Sequence, residues 1–207
     1  MQKKLSSFFF LIASLNFVNL GAARSAAGVL PYTLHNYVLL LLLGRESNGL
    51  SDFGGFVEEE ETLLQAAVNE FSQETRYVFG KFALGLSLRK NHALQELERA
   101  SKEYILPKLK MQVNHPKGTY TMYLACVDYI PADEFTFAHK TPDYDKEEYV
   151  WVSAIDLCDV MKTCHADNAY YLGMKIREEF VDELKTEEMH EAIKEIMKSK
   201  EIGNDAQ

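Results

Sequence analysis

Two glutamates one helical turn apart, Glu70 and Glu74, have the residue type and spacing best suited to chemistry in this sequence. They lie in the segment 62–75, which contains no Gly or Pro and repeats apolar residues at helical spacing. Four helical residues turn the chain by about 40° beyond a full turn, so the two carboxylates would repel each other. A cation between them would convert the repulsion into a binding site, and hard oxygen ligands suit Mg²⁺ or Mn²⁺. The alternative is a solvated acidic helix face.

A glycine turn at Gly54 and Gly55 and an acidic loop at 58–61 precede this segment, and the whole stretch resembles the Nudix box. That box has a glycine, five residues, a Glu, seven residues, and then Arg-Glu-apolar-any-Glu-Glu-any-Gly. Gly55 and Glu61 keep the first spacing, and Glu70, Phe71 and Glu74 keep the second. The expected buried stripe of the helix consists of Leu64, Ala67, Val68 and Phe71.

Three positions of the box depart from the family pattern. Asn69 stands in place of the Arg, Gln73 in place of the first Glu of the terminal pair, and Arg76 in place of the closing Gly. The Arg of the box pairs with the residue at Glu61, so we expect that ion pair to be lost. The departures leave open whether the chain is an enzyme or a catalytically weakened nucleotide-binding or regulatory module.

The resemblance implies an α/β fold, a Nudix-like α/β/α sandwich with a mixed sheet. It also implies a metal-dependent hydrolase, a pyrophosphohydrolase that cleaves a nucleoside diphosphate linked to another moiety with Mg²⁺ or Mn²⁺. Glu70 and Glu74 would be the catalytic residues. They would hold the metal together with Gln73 and the carbonyl of Gly54, and Glu61 would support the start of the helix behind them.

Three residues outside the box are candidates for substrate binding. Arg45 follows an apolar strand in a Gly-Arg-Glu sequence similar to the approach to the box in Nudix domains, where it could face a phosphate. Phe135 and Phe137 lie in the polar segment 131–148, long enough to be a functional loop, and could stack on a base. The alternatives are an exposed arginine at a strand end and aromatic residues that only anchor a surface loop.

Composition limits the class of ligand. The 207 residues are 47% hydrophobic and 26% charged, as in an ordinary globular protein, and the net charge is -9. Proteins that bind nucleic-acid duplexes usually carry a basic stripe, so we expect no such binding. An acidic protein can still bind a small nucleotide-diphosphate substrate when a metal bridges the negative partners.

The first 23 residues have the pattern of a secretory signal. Lys3 and Lys4 precede an apolar run at 8–13, and small residues end at Ala23. Cleavage there would give an exported or periplasmic protein with no mature membrane span. The alternative is an N-terminal extension of a cytoplasmic protein.

We expect a Nudix-like domain over residues 25–165 and a helical C-terminal appendage over 166–207, which could form a homodimer contact. Strands are expected at 26–34, 37–43 and 118–130, strand structure at 77–88, and a helix at 91–104. Residues 148–157 read as a strand leading into a helix, and they resemble the late Nudix element in which Trp-Val precedes a helix. Cys126, Cys158 and Cys164 show no metal-ligand spacing, and export would permit a Cys158–Cys164 bridge.

Overall fold

The structure is a computed structural model that describes residues 24–88, 90–115, 119–138 and 146–204. The signal sequence expected at residues 1–23 lies outside the described residues. Within the described ranges the strands are β1 (Ala26–His35), β2 (Val38–Glu46), β3 (Gly49–Ser51), β4 (Phe53–Phe56), β5 (Leu109–Asn114), β6 (Tyr120–Cys126), β7 (Glu148–Ser153), β8 (Tyr170–Tyr171) and β9 (Met174–Lys175). The helices are α1 (Leu63–Glu74), α2 (Val78–Ala83), α3 (Leu94–Ile105), α4 (Ala132–Phe137), α5 (Ala154–Thr163), α6 (Glu178–Leu184) and α7 (Glu187–Asn204).

Strands β1 to β7 form one mixed sheet with β1 at its centre. One edge of β1 pairs in parallel with β6, and its other edge pairs antiparallel with β4 at the start of the strand and with β2 at its end. β2 also pairs antiparallel with β3 and β7, and β5 closes the far side on β6. The pairing of β1 with β4 places the glycine turn of the box at the centre of the sheet.

Both faces of the sheet are covered by helices, which is why its central strands are apolar without alternation. In β2, Leu42 packs with α1 and α2 on one face, whereas Leu41 and Leu43 pack with α5, α6 and α7 on the other. In β1, Val29 and Leu30 divide between the faces in the same way. This arrangement confirms the α/β sandwich that the family resemblance implies.

The strand structure predicted for 77–88 is wrong, because residues 78–83 form helix α2. Val78 and Phe79 are fully buried, so their strand preference yields to packing in the core. A Cβ on Gly80 would lie 2.4 Å from the carbonyl oxygen of Leu97, so only glycine permits this approach of α2 to α3. Local propensity carried no information about that tertiary contact.

The C-terminal segment begins with a hairpin before it becomes helical. Strands β8 and β9 occupy 170–175, where we expected helix, and α6 and α7 follow. Phe180, Leu184 and Ile193 are buried in the same core cluster as Leu41 of the sheet. These helices therefore complete one face of the domain core.

Three further expectations concern the polar segment from residue 131, the cysteines and membrane-spanning helices. The segment from residue 131 contains the short helix α4, and residues 139–145 lie outside the described ranges. Cys126, Cys158 and Cys164 are all free, so the permitted Cys158–Cys164 bridge does not form. Among the described residues, no helix has the length and apolarity needed to span a membrane.

Candidate functional site

Helix α1 positions both glutamates, and its start is defined by a reciprocal cap. Thr62 Oγ1 accepts a hydrogen bond from the backbone N–H of Gln65, and the Thr62 N–H donates to Gln65 Oε1 at 2.9 Å. Val68 and Phe71 are buried as predicted, whereas Leu64 is 37% exposed and lies outside the buried stripe. The cap and the buried face fix the register of α1 against the sheet.

Glu70 lies directly over the glycine turn of β4. A Cβ on Gly55 would lie 2.5 Å from Glu70 Oε1 and 2.6 Å from its carboxyl carbon. A side chain at Gly55 would therefore displace the Glu70 carboxylate from its position over the turn. The neighbouring Gly54, whose carbonyl we expected to bind metal, pairs with Gly28 in the β1–β4 ladder.

Glu74 is buried, with 6% of its surface exposed. Its Oε2 atom accepts no hydrogen bond from the described residues, while its Oε1 lies 3.6 Å from Lys146 Nζ. Burial raises the pKa of Glu74 to about 8; Lys146 opposes this rise and the carboxylates of Glu46 and Glu70 add to it. The contribution of Glu70 is the mutual repulsion expected from their spacing.

Glu61 keeps a partner at the position where the box has arginine. Asn69 Nδ2 donates to Glu61 Oε1 at 2.5 Å, and the backbone N–H of Glu58 donates to Glu61 Oε2 at 3.2 Å. The expected ion pair is therefore replaced by an amide–carboxylate hydrogen bond. Glu61 still ties the acidic loop to the second turn of α1.

Gln73 is exposed to solvent, in contrast to the buried Glu74 that follows it. In the part of the chain that is described, no three Asp, Glu, His or Cys side chains form a group that could hold a metal ion. Mg²⁺ commonly takes only one or two protein carboxylates and completes its shell with water and phosphate oxygens. The orphaned Oε2 of Glu74 and the steric fit of Glu70 over Gly55 suit that mode of binding.

Arg76, which stands where the box closes with glycine, has a structural role. Its backbone has a positive φ of 54°, the conformation for which glycine is the usual residue. Its buried guanidinium donates to the carbonyls of Phe135 at 3.1 Å, Thr136 at 3.0 Å and Lys146 at 2.8 Å. Arg76 therefore joins the end of α1 to α4 and to the start of β7.

The substrate candidates occupy three different environments. Phe135 is fully buried, and its ring packs against Phe79 at 5.5 Å and Tyr149 at 5.1 Å between centroids. The structure thus places Phe135 in the core, which leaves it no surface for stacking on a base. Phe137 is 60% exposed at the end of α4.

Arg45 is half-exposed and already paired. Its Nε donates to Glu148 Oε2 at 2.8 Å, and its Nη2 lies 3.6 Å from Glu147 Oε2. It lines a cavity of about 460 Å³ between the β2–β3 turn and the β8–β9 hairpin. A phosphate at Arg45 would have to compete with these two carboxylates.

Behind Glu74 lies a network of buried charged groups that the sequence does not predict. Lys146 forms an ion pair with Glu46 and donates to Ser51 Oγ at 2.8 Å. Burial acts to raise the pKa of Glu46, but Lys146 lowers it below its usual value. Nothing in the sequence marked Lys146, because lysine in a polar segment is ordinarily solvated.

Arg177 is the second cation of this network. Its guanidinium lies 3.8 Å from Glu46 and 3.9 Å from Asp52, and Tyr120 donates to Asp52 at 2.5 Å. Glu183 is 2% exposed nearby, and its Oε2 accepts no hydrogen bond from described residues. Burial, reinforced by the charge of Asp52, raises the pKa of Glu183 to about 9.

This raised pKa predicts a pH-dependent gain in stability for Glu183→Gln. The folded-state pKa lies above that of the unfolded chain, so the free energy of unfolding falls as pH rises between the two values. We expect Glu183→Gln to raise the thermal midpoint by about 4 °C or more at pH 8 and by less at pH 5. Scanning calorimetry at both pH values measures this.

Glu178→Gln is the control for Glu183→Gln, because Glu178 is exposed at the start of the same helix. We expect no comparable shift for it at either pH. A lower midpoint for Glu183→Gln at both pH values would contradict the prediction, since it would mean that the ionised carboxylate stabilises the fold through Arg177.

Comparison with known proteins gives matches among solved structures. No family model matches the chain, and no curated protein matches it. The Nudix hydrolase RenU from M. smegmatis is 16% identical, with 86% of this chain and 88% of that chain covered and a TM-score of 0.43. A mutT/nudix family protein from Listeria innocua is 16% identical, with coverages of 83% and 94% and a TM-score of 0.43. The NUDIX domain of Shewanella oneidensis NrtR complexed with ADP ribose is 16% identical, with coverages of 71% and 83% and a TM-score of 0.39.

All three structures are named as Nudix proteins, the family that the box of this sequence resembles. Identities and TM-scores at this level assign neither an activity nor a substrate to the chain.

Proposed function

We propose that this protein hydrolyses the pyrophosphate bond of a nucleoside diphosphate linked to another group, using Mg²⁺ or Mn²⁺. The observation that carries the proposal is the pair of carboxylates on α1, one fitted over Gly55 and the other buried with an unpartnered oxygen. Buried carboxylate oxygens without donors are costly unless a proton or a cation compensates them. A nucleotide with a divalent ion would supply that cation.

The roles of the residues follow from their positions. Glu70 and Glu74 would hold the metal, with the carbonyl of Gly54 and the amide oxygen of Gln73 as further ligands. A bound Mg²⁺ or Mn²⁺ would neutralise charge on the phosphate oxygens and on the leaving group. Glu61 fixes the loop before α1 through its contacts with Asn69 and the Glu58 backbone.

The test is a panel of diphosphate compounds incubated with millimolar Mg²⁺ or Mn²⁺, with and without EDTA. The panel should contain nucleotide sugars, dinucleoside polyphosphates, dinucleotide cofactors and oxidised nucleotides, because the box does not distinguish them. We expect release of a nucleoside monophosphate or a shortened polyphosphate that EDTA abolishes. Undiminished turnover in EDTA would overturn the metal-dependent mechanism.

A second function, a nucleotide-binding or regulatory module without turnover, is favoured by the replacement of two charged box positions with Asn69 and Gln73. Isothermal titration of a non-hydrolysed nucleotide diphosphate analogue with metal discriminates the two. Tight binding without turnover of any compound in the panel would support the module.

Gln73→Glu restores the third carboxylate of the box and should strengthen metal binding. Gln73 lies three residues after Glu70 on the exposed side of α1, so its change alters charge without disturbing the core. We expect a rise of several-fold in Mn²⁺ affinity or in turnover. The control is Gln112→Glu, which adds the same charge at an exposed position of β5 and should change neither Mn²⁺ affinity nor turnover. Equal affinity for Gln73→Glu and wild type would remove Gln73 from the site.

A further inference from the structure

Lys146 is a buried lysine whose ammonium lies among carboxylates rather than in solvent. Its side chain is 0% exposed, and its Nζ is ion-paired with Glu46 and lies 3.6 Å from Glu74 Oε1. Ser51 Oγ is a third partner at 2.8 Å. One of the two glutamates proposed to hold the metal thus already has a positive charge beside it.

The fold makes room for this lysine and holds it in place. A Cβ on Gly44 would lie 2.6 Å from Lys146 Cδ and 2.9 Å from its Cγ, so the stem of the side chain crosses β2 only because that residue is glycine. The Arg76 guanidinium holds the Lys146 carbonyl at 2.8 Å. Arg76 is itself a departure from the box, so the altered box position and the lysine belong to one arrangement.

Lys81 provides an internal comparison. It is 1% exposed, and its Nζ donates to the backbone carbonyls of Leu88 at 3.0 Å and Lys90 at 2.9 Å. That lysine binds neutral groups and satisfies local backbone. Lys146, in contrast, compensates the charge of two carboxylates from different elements of the fold.

The Glu74 carboxylate can be compensated either by the Lys146 ammonium or by a divalent ion. Two like charges a few ångströms apart repel strongly wherever water is excluded. A metal ion bound to Glu74 would stand close to the Lys146 ammonium and would compete with it for the same carboxylate. The absence of a third acidic ligand among the described residues leaves the metal little additional attraction.

We propose that the Lys146 ammonium is a built-in counter-ion for Glu74 that competes with the divalent metal and sets the metal concentration the site requires. This inference rests on the proposed function, because it takes Glu74 as a metal ligand. Lys146 acts here as a positioning residue, and it needs no contact with the substrate.

The test is Mn²⁺ binding without substrate, measured by the electron paramagnetic resonance signal of free Mn²⁺. We expect Lys146→Met to bind Mn²⁺ at least about tenfold more tightly than wild type, because the variant removes a like charge beside the ion. Lys81→Met removes a buried lysine of the other kind and should leave the affinity unchanged. Adding Glu74→Gln to Lys146→Met should abolish the gain if the coupling runs through Glu74.

Gly44→Ala is a second variant that keeps the charge. The added methyl must displace the flexible stem of Lys146, and we expect a smaller increase in Mn²⁺ affinity. This variant decides the question if Lys146→Met fails to give the native circular dichroism spectrum.

Two results would overturn the inference, and they differ in what they say about the proposed function. In the first, wild type binds Mn²⁺ measurably and the folded Lys146→Met variant binds it equally or more weakly. This result contradicts the competition between Lys146 and the metal but not the metal site itself. Failure of wild type and all variants to bind Mn²⁺ at millimolar concentration removes the metal site and the inference together.

Discussion

Glu74→Gln is expected to reduce the hydrolysis of the best diphosphate substrate by about 100-fold or more. Glutamine keeps the shape of the side chain and removes the negative oxygen, and loss of one strong electrostatic group in a catalytic site has an effect of this size. Burial disfavours the ionised form of Glu74 and raises its pKa, so an uncharged amide of the same shape is tolerated at this position. The substitution should therefore leave the thermal midpoint nearly unchanged, and the loss should be in kcat/KM.

The matched control is Glu103→Gln on α3. That carboxylate is 62% exposed and pairs with Arg99 one turn earlier, so we expect wild-type turnover. Wild-type activity of Glu74→Gln under saturating metal would remove Glu74 from the mechanism. A large drop in its thermal midpoint would show that the activity loss came from unfolding.

Arg76→Ala is expected to cause the largest loss of stability. It leaves the carbonyls of Phe135, Thr136 and Lys146 without their donor, and a buried polar group left unpaired costs about 1–3 kcal/mol. We expect the free energy of unfolding to fall by about 3 kcal/mol or more and the thermal midpoint by about 10 °C. Urea denaturation with far-UV circular dichroism measures the first quantity and a thermal melt the second.

Arg99→Ala is the control for Arg76→Ala, because Arg99 is exposed and makes one ion pair within α3. Exposed pairs of this kind contribute about 0.5 kcal/mol or less, so its melt should match wild type. Arg76→Gly should recover about 1 kcal/mol relative to Arg76→Ala, since the residue has a positive φ. A melt of Arg76→Ala like that of Arg99→Ala would contradict the structural role of Arg76.

The sequence by itself determined the features that depend on neighbours along the chain. The helix from Thr62 to Thr75 was predictable because its cap and its apolar period are local, and the structure has α1 at Leu63–Glu74. The central strands were predictable because an apolar run too short for a helix has to be buried on both faces. Helix α5 also follows the strand at 148–153 as expected, and Ser153 caps it by accepting a hydrogen bond from the Asp156 N–H.

Residues whose roles depend on distant partners were not predictable. Val78 and Phe79 prefer strands by type, but they are helical and are buried in a core cluster built from distant segments. The aromatic ring of Phe135 in a polar segment predicts stacking on a base, but the ring is buried in a core cluster that combines distant segments.

The charged groups of the candidate site also depend in part on partners that are distant in the sequence. Glu70 and Glu74 could be paired from their spacing along one helix, because helical geometry is fixed by the backbone. Lys146 is 72 positions beyond Glu74 in the chain, and the pairing of β2 with β7 together with the Arg76 hydrogen bond brings its ammonium to the helix. The sequence thus determined which carboxylates share a helix face, and the tertiary structure decided which cation stands beside them, because charge compensation in a buried site depends on distance in space.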